Sequence, residues 1–396
     1  MAFAQSVPLT WSGELRLRSE LDARDMRNST PPNLYTLSRA RIGMLARPSE
    51  DVSVFLQVQD ARAFGEAATP MSSLNSAEVH QAWLEVKDLL PGLRVKAGKM
   101  ELSVGNGRLI SNNVWVNVPR TLTGLVTSLD LGKHTVTALL FNTRETSALP
   151  SAATKFAWTR DNGDLLTGGT FRTTALERHN LEIIALYHRI GKADALGRDS
   201  LSVASLGGFF AGKTGAWSYE ADAAYQTGSM FGTDVASYQA GALITYVVGH
   251  QTVRSVTAAL DLYSGETISA TAVGVFDPRY GAGHKNLGFM DYFTSIPAHT
   301  NRRGIIDAYG RADLSWSDAV ETQLTVHHFQ LHRTLSVAVP STEIGQEVDV
   351  ITRWKHSSAL SVEFGAGIFL PGRAMQSIIG GSDPGVWFYL SPQISF

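Results

Sequence analysis

Val386-Trp387-Phe388-Tyr389-Leu390-Ser391-Pro392-Gln393-Ile394-Ser395-Phe396 is the stretch whose reading decides the fold. Counted in steps of two, Val386, Phe388, Leu390, Pro392, Ile394 and Phe396 share one face. Trp387, Tyr389, Ser391, Gln393 and Ser395 share the other. An apolar face set against a mixed one at period two is the pattern of a strand whose sides meet different media. The same period recurs upstream. Leu15 and Leu17 alternate with Glu14, Arg16 and Arg18, and Ala40, Ile42 and Met44 alternate with Arg39, Arg41 and Gly43. Val54, Leu56 and Val58 alternate with Phe55, Gln57 and Gln59, as do Ala82, Leu84 and Val86 with Gln81, Trp83 and Glu85. Helical spacing is nearly absent.

Marking every such segment predicts eighteen strands, at 10–19, 34–47, 52–61, 79–87, 93–101, 121–131, 134–142, 165–174, 180–190, 199–211, 216–227, 237–247, 252–263, 304–316, 320–331, 346–355, 359–369 and 386–396. The connections alternate strictly between short turns, such as Gly132-Lys133, Gly212–Gly215 and Ser317–Ala319, and longer loops, including 62–78, 102–120, 143–164 and 264–303. All long connections at one end and an even strand number predict a transmembrane antiparallel β-barrel with short periplasmic turns and long external loops. Residues 10–396 form this one barrel, and residues 1–9 lead into it. In lipid every backbone donor and acceptor must be paired internally, so such a sheet closes on itself. Trp11, Trp83, Trp217, Tyr219, Tyr246, Trp316 and Trp354 lie near strand ends, where an interfacial aromatic girdle sits. Pro392 lacks a ladder donor and predicts a local irregularity near the periplasmic rim.

Composition agrees with two-faced strands. The 396 residues are 18% charged and 44% hydrophobic, with 36 Gly, no Cys and a net charge of −2. Soluble domains carry about 25% charged residues. The absence of cysteine excludes a disulfide scaffold or thiolate metal site, and near-neutral charge gives no nucleic-acid footprint. The best candidate for a spanning helix, Val235–Val253, is broken by polar residues and by Gly249-His250-Gln251. Ala2-Phe3-Ala4 before Gln5 resembles the end of a secretory signal and points to export.

Two motifs invite catalytic readings. Gly207-Gly208-Phe209-Phe210-Ala211-Gly212-Lys213-Thr214 matches a phosphate-binding loop letter for letter. That loop needs a helix after it, whereas Gly215 to Glu220 alternate as a strand, so a hairpin turn is predicted. His327, His328 and His332 suggest a metal site, but neighbours in a strand point to opposite faces, and lumen or rim histidines are the better reading. No G-x-S-x-G or H-E-x-x-H occurs. The expectation is a protein that is not an enzyme and uses no cofactor or metal.

The inward charges carry more. Arg16, Arg18, Arg39, Arg41, Arg94 and Lys96 fall on the lumen face of early strands. Glu220, Asp222, Asp261, Asp307 and Asp313 fall on that of later ones, with Arg311 and Arg353 among them. A basic wall facing an acidic one would draw anions along its basic side. The same charges could instead pair with one another and fill the barrel. Loop 264–303 is long enough to fold over or into the mouth. Its Asp277, His284, Lys285 and Asp291 are candidates for gating or, better, for fixing the loop.

Several segments resemble the alginate-export family of outer-membrane barrels. Gly98-Lys99-Met100-Glu101-Leu102 with Gly105, Arg108-Leu109, Trp115 and Pro119-Arg120-Thr121 is similar to the family's G-R-Q-E-L…Y-G-D…R-L…W…R-T run. Tyr219 to Gln226 resembles its acidic strand, and Phe276-Asp277-Pro278 through Gly283-His284-Lys285 to Gly288-Phe289-Met290-Asp291 resembles its F-x-P…G-H…G-x-x-D loop. The family-motif residues are thus Glu101, Arg108 and Arg120. Val104-Gly105-Asn106 departs from Y-G-D, and 199–211 lacks an arginine often found there. The resemblance implies a monomeric channel in a Gram-negative outer membrane, in contact with lipid and lipopolysaccharide. It would pass an anionic solute, such as an alginate-like polysaccharide, and the resemblance leaves a periplasmic export partner open. A general porin, a plugged barrel acting as a surface anchor, and an outer-membrane enzyme are the rival readings.

Overall fold

A computed structural model describes residues 7–64, 77–143, 164–192 and 199–396. Ala2-Phe3-Ala4 and most of loops 62–78 and 143–164 lie outside the described residues. The described residues form eighteen strands. They are β1 Leu9–Ala23, β2 Asn33–Ala46, β3 Val52–Phe64, β4 Glu78–Val86, β5 Leu93–Met100, β6 Leu122–Leu131, β7 His134–Asn142, β8 Leu165–Thr173 and β9 His179–Lys192. There follow β10 Asp199–Thr214, β11 Trp217–Met230, β12 Thr233–Val247, β13 Val253–Tyr263, β14 Ile305–Ser317, β15 Val320–Leu331, β16 Glu343–Lys355, β17 Leu360–Pro371 and β18 Gly385–Ser395. Each pairs antiparallel with its neighbours in sequence, and β1 pairs with β18, so the sheet is closed. Among the described residues two short helices, α1 Ile296–His299 and α2 Arg373–Ile379, sit in loops on the long-loop side.

Alternation sets which residues face the interior. On β1, Arg16, Arg18 and Glu20 are buried inside while Leu15, Leu17 and Leu21 are exposed outside. Trp11, Trp217, Tyr246, Trp316 and Trp354 are exposed on the outer wall near the short-turn rim. Trp83 departs from that girdle. It faces inward, with the Lys96 Nζ 3.7 Å from its ring centre.

Two connections differ from the sequence reading. The phosphate-loop octapeptide lies wholly within β10, and the turn after it is only Gly215-Ala216. Pairing Thr214 with Trp217 extends both strands further than their apolar residues suggest. On the opposite rim β11 and β12 are joined by Phe231-Gly232 alone. The strict alternation of short and long connections therefore fails there.

The closure seam carries the predicted irregularity. Arg16 pairs with Gln393 and Ser19 with Leu390, but the two positions between, opposite Pro392 and Ser391, make no ladder pair. Below the gap the Gly13 and Phe396 backbones exchange hydrogen bonds of 2.9 and 3.1 Å. The Phe396 ring lies over Gly13, where a Cβ would come within 2.2 Å of it. Gly13→Val is therefore expected to push the largely exposed Phe396 ring aside and to destabilise closure by about 1 kcal/mol or less, below the usual cost of overpacking a core. The readout is a lower heat-unfolding temperature on gel mobility. In a double-mutant cycle the added Phe396→Ala removes most of that cost; full additivity would show that the two do not meet.

Candidate functional site

The site is the middle of the lumen, where two loops enter it. The loop at 101–121 crosses the barrel from one wall to the other. On one side Arg108 reaches Asp222 of β11 at 2.9 Å, and Asp261 and the Tyr263 hydroxyl of β13, the latter at 2.6 Å. On the other, Arg16 of β1 donates to the Val114 and Val116 carbonyls at 3.2 and 3.3 Å. Arg39 of β2 donates to the same two oxygens at 2.9 and 3.1 Å, and Arg18 donates to the Trp115 carbonyl at 2.8 Å. In an eighteen-membered ring β2 and β11 stand opposite each other. The loop is thus a strut across the diameter.

The loop at 264–304 packs against this strut. Ile110 bridges to Tyr280, and Arg120 donates to the carbonyls of Ser111, at 2.9 Å, and of Tyr280. Burial pushes the Arg120 guanidinium below its ordinary range. Lys285 donates to the Asn106 carbonyl at 2.8 Å. His284 stacks on Trp115 with ring centres 3.8 Å apart. Asp291 then accepts from the Trp115 indole at 3.1 Å and lies 2.8 Å from His284. Asp277 bonds Arg279 at 2.8 Å, yet burial still pushes its carboxyl up. At Gly288, φ is +85° and a Cβ would come within 2.4 Å of the Glu347 carboxylate, which accepts from the Met290 amide. Only glycine fits both constraints.

Apolar packing fixes the rest. Ile110, Leu109, Val273, Val275 and Phe276 pack with the inward Leu166, Ile184, Leu186, Leu201 and Val203 of β8–β10. Phe293 packs on Phe329 and Phe369 at ring separations of 5.0 and 6.4 Å. Each such ring contributes roughly 1.5–3 kcal/mol when taken from water. The upper lumen is thereby filled along β8–β17. Open space remains beside β1, β2 and β18 and beneath the strut.

The structure reorganises the predicted wall. Arg16, Arg18, Arg39 and Arg41 do converge, but they are 3–8% exposed and bonded to the strut or to carboxylates. Arg18 pairs with Glu20 at 2.7 Å, Arg39 with Glu14 at 2.6 Å and Arg41 with Glu101 at 3.2 Å. Burial alone would raise Glu101; hydrogen bonds from His80 and Asn112 and the Arg41 charge hold it below the usual carboxylate range. Arg94 and Lys96 do not join this group. Arg94 faces Asp130 at the short-turn mouth and Lys96 covers Trp83. Arg353 does join it, bonded to Glu363 at 2.6 Å.

On the acidic side Glu220, Asp222 and Asp261 line one cavity with Arg108, Lys285 and Arg311. Asp307 lies 2.9 Å from His327, and Asp313 bonds Ser255 and Gln323 at 2.7 and 3.2 Å. His327 points inward and His328 outward, as their adjacency requires. Sequence reading passed over Glu14 and Glu20 as partners. Their signal is plain, since they fall on the same inward set as Arg16 and Arg18.

The alginate-export family model matches residues 7–383. The chain belongs to the alginate-export family. Among solved structures it is similar to Pseudomonas aeruginosa OccK8 (OprE), with a TM-score of 0.66, 12% identity and 98% of each chain covered. OpdK of the same organism, solved with vanillate, gives 0.63 and 11% over 98% of each chain. Acinetobacter baumannii OccAB1 gives 0.62 and 12% over 98% of this chain and 96% of that one. No curated protein matches the chain. An alginate-export family member built as a closed eighteen-strand barrel is an outer-membrane channel of a Gram-negative bacterium.

Proposed function

We propose that this channel passes anionic solutes passively along its β1–β2–β18 side. One observation carries the reading. Arg16, Arg39, Arg41 and Arg353 line a single cavity of about 510 Å³ that holds only two glutamates, Glu14 and Glu363. The larger cavity across the strut, about 540 Å³, balances Arg108, Lys285 and Arg311 against Glu220, Asp222 and Asp261. A surplus of fixed positive charge in a narrow, low-dielectric passage concentrates anions there. Among the described residues Arg16 makes no ion pair with a carboxylate; its guanidinium bonds two neutral carbonyls of the strut, so its charge is left uncancelled beside the passage.

Membership of the alginate-export family makes a uronate polysaccharide the finer form of the proposal. A chain with one carboxylate per sugar could move from arginine to arginine without any single strong site. The barrel acts as a monomer in contact with lipid and lipopolysaccharide, and its work is transport without covalent chemistry. Reversal potentials in planar bilayers under a salt gradient test the coarse reading; a preference for cations would overturn it. Oligouronates are expected to block the current where neutral oligosaccharides of equal length do not. Free passage of small carboxylates without any such block would leave a small-solute porin.

A further inference from the structure

Trp115 stands at a junction that charge alone does not explain. Above it, towards the long-loop rim, lies a cavity of about 410 Å³ lined by Arg18, Arg24, Tyr35 and Asp291. Beneath it lies the 510 Å³ arginine cavity. Trp115 lines both, and it also lines the 540 Å³ cavity beyond the strut. No other residue belongs to all three. The ring is held on every side. The Arg18 guanidinium lies 4.0 Å from its centre and His284 stacks against it. Tyr389 and Trp387 of β18 meet it edge-on at 5.2 and 6.0 Å.

We infer that Trp115 is the partition of the conducting path and the residue that sets its size limit. This rests on the channel reading above and adds to it a barrier at the one ring that lines all three cavities. The backbone at 114–116 is fixed by three arginines, whereas the ring is held by stacking and by one hydrogen bond to Asp291. Removal of the ring would therefore join the upper and lower cavities without moving the strut. Asp291 is the positioning residue: it holds the indole edge and sits beside His284, and its backbone has a left-handed φ of +58°. The two cavities share the β1–β2 wall, so the joined path runs off the barrel axis. It would pass Arg18 before Arg16 and Arg39.

The test is single-channel conductance of the refolded barrel for wild type, Trp115→Ala, Trp115→Phe and Tyr309→Ala. Tyr309 lines only the cavity across the strut among these three. The narrowest point dominates the resistance of a water-filled path. Trp115→Ala is therefore expected to raise conductance at least about twofold, and to admit larger neutral polyethylene glycols. Trp115→Phe should give a smaller rise and Tyr309→Ala none. Gel mobility before and after heating shows that each variant is folded, and the Phe variant keeps the comparison valid if the Ala variant does not fold. A conducting wild type whose current is unchanged in both Trp115 variants overturns the partition but leaves the channel standing. An equal rise in Tyr309→Ala also overturns it. Silence in every folded variant overturns the channel reading as well.

Discussion

Arg108→Met is expected to release the strut from the acidic wall, raising and destabilising the current while the barrel itself stays folded. Arg108 is the only cation bonded to both Asp222 and Asp261 among the described residues, and it also holds the Tyr263 hydroxyl. Removing one partner of a buried ion pair costs about 3–5 kcal/mol, because the remaining charge is left without solvation. β11 and β13 are each paired on both sides in the closed sheet, so they have little room to relax. The loop does. Water entering around the two aspartates would displace the 104–110 segment, and protease cleavage at Arg120 becomes the direct readout. Asp222→Asn alone should have a smaller effect: its one oxygen can still accept from Asn106, which bonds the carboxylate at 2.8 Å, while Gln239, now donating to the other oxygen at 2.8 Å, would have to turn its own oxygen to the new amide. Adding Asp222→Asn and Asp261→Asn to Arg108→Met removes the stranded charges and should recover the heat-unfolding temperature. It should not recover the anchored loop. Wild-type conductance and protease resistance in Arg108→Met would show that the strut needs no anchor there.

The strand pattern was legible because each strand's two faces meet different media, as at Val386 to Phe396. Extent was less legible: Lys213 and Thr214 carry no apolar signal, yet β10 runs through them, because a tight turn needs its flanking residues paired. The loops were the harder part. Nothing local in 102–120 announces a strut. Its anchors are Arg108, whose partners lie more than 100 positions away in β11 and β13, and the 114–116 segment, held by β1, β2 and the 264–304 loop. One signal was available. Ile183-Ile184-Ala185-Leu186 is apolar on both faces, which a strand facing a water-filled lumen would not be. The inner face there is covered by protein. The basic wall was legible as a set of positions but not as a set of free charges, since Glu14 and Glu20 enter the same face at the same period.

Whether those arginines serve the solute or only the strut is decided by replacing Arg16 and Arg39 together. Both donate to the Val114 and Val116 carbonyls, so each holds the backbone and carries charge at once. Gln removes the charge and the fork. Lys keeps the charge but loses the planar guanidinium, whose Nη1 and Nη2 span the two carbonyls in Arg16 and whose Nη1 holds both, with Nε on Glu14, in Arg39. A unit charge about 6 Å from a passing ion is worth roughly 1 kcal/mol in mostly aqueous surroundings. Losing two should lower the anion-to-cation permeability ratio by about tenfold or more, a tenfold change being about 1.4 kcal/mol. The shift is enlarged because Glu14, bonded to Arg39 at 2.6 Å, is then left unpaired in the passage. Arg16→Gln with Arg39→Gln is therefore expected to approach or cross into cation preference, with a noisier current from a looser 114–116 segment. Arg16→Lys with Arg39→Lys should be equally noisy but remain anion-selective. Noise in both with selectivity unmoved in both would mean that the arginines only hold the strut and that solutes pass elsewhere. The double Lys variant thus separates the two roles: charge sets which ion passes, and the guanidinium fork sets how steady the opening is.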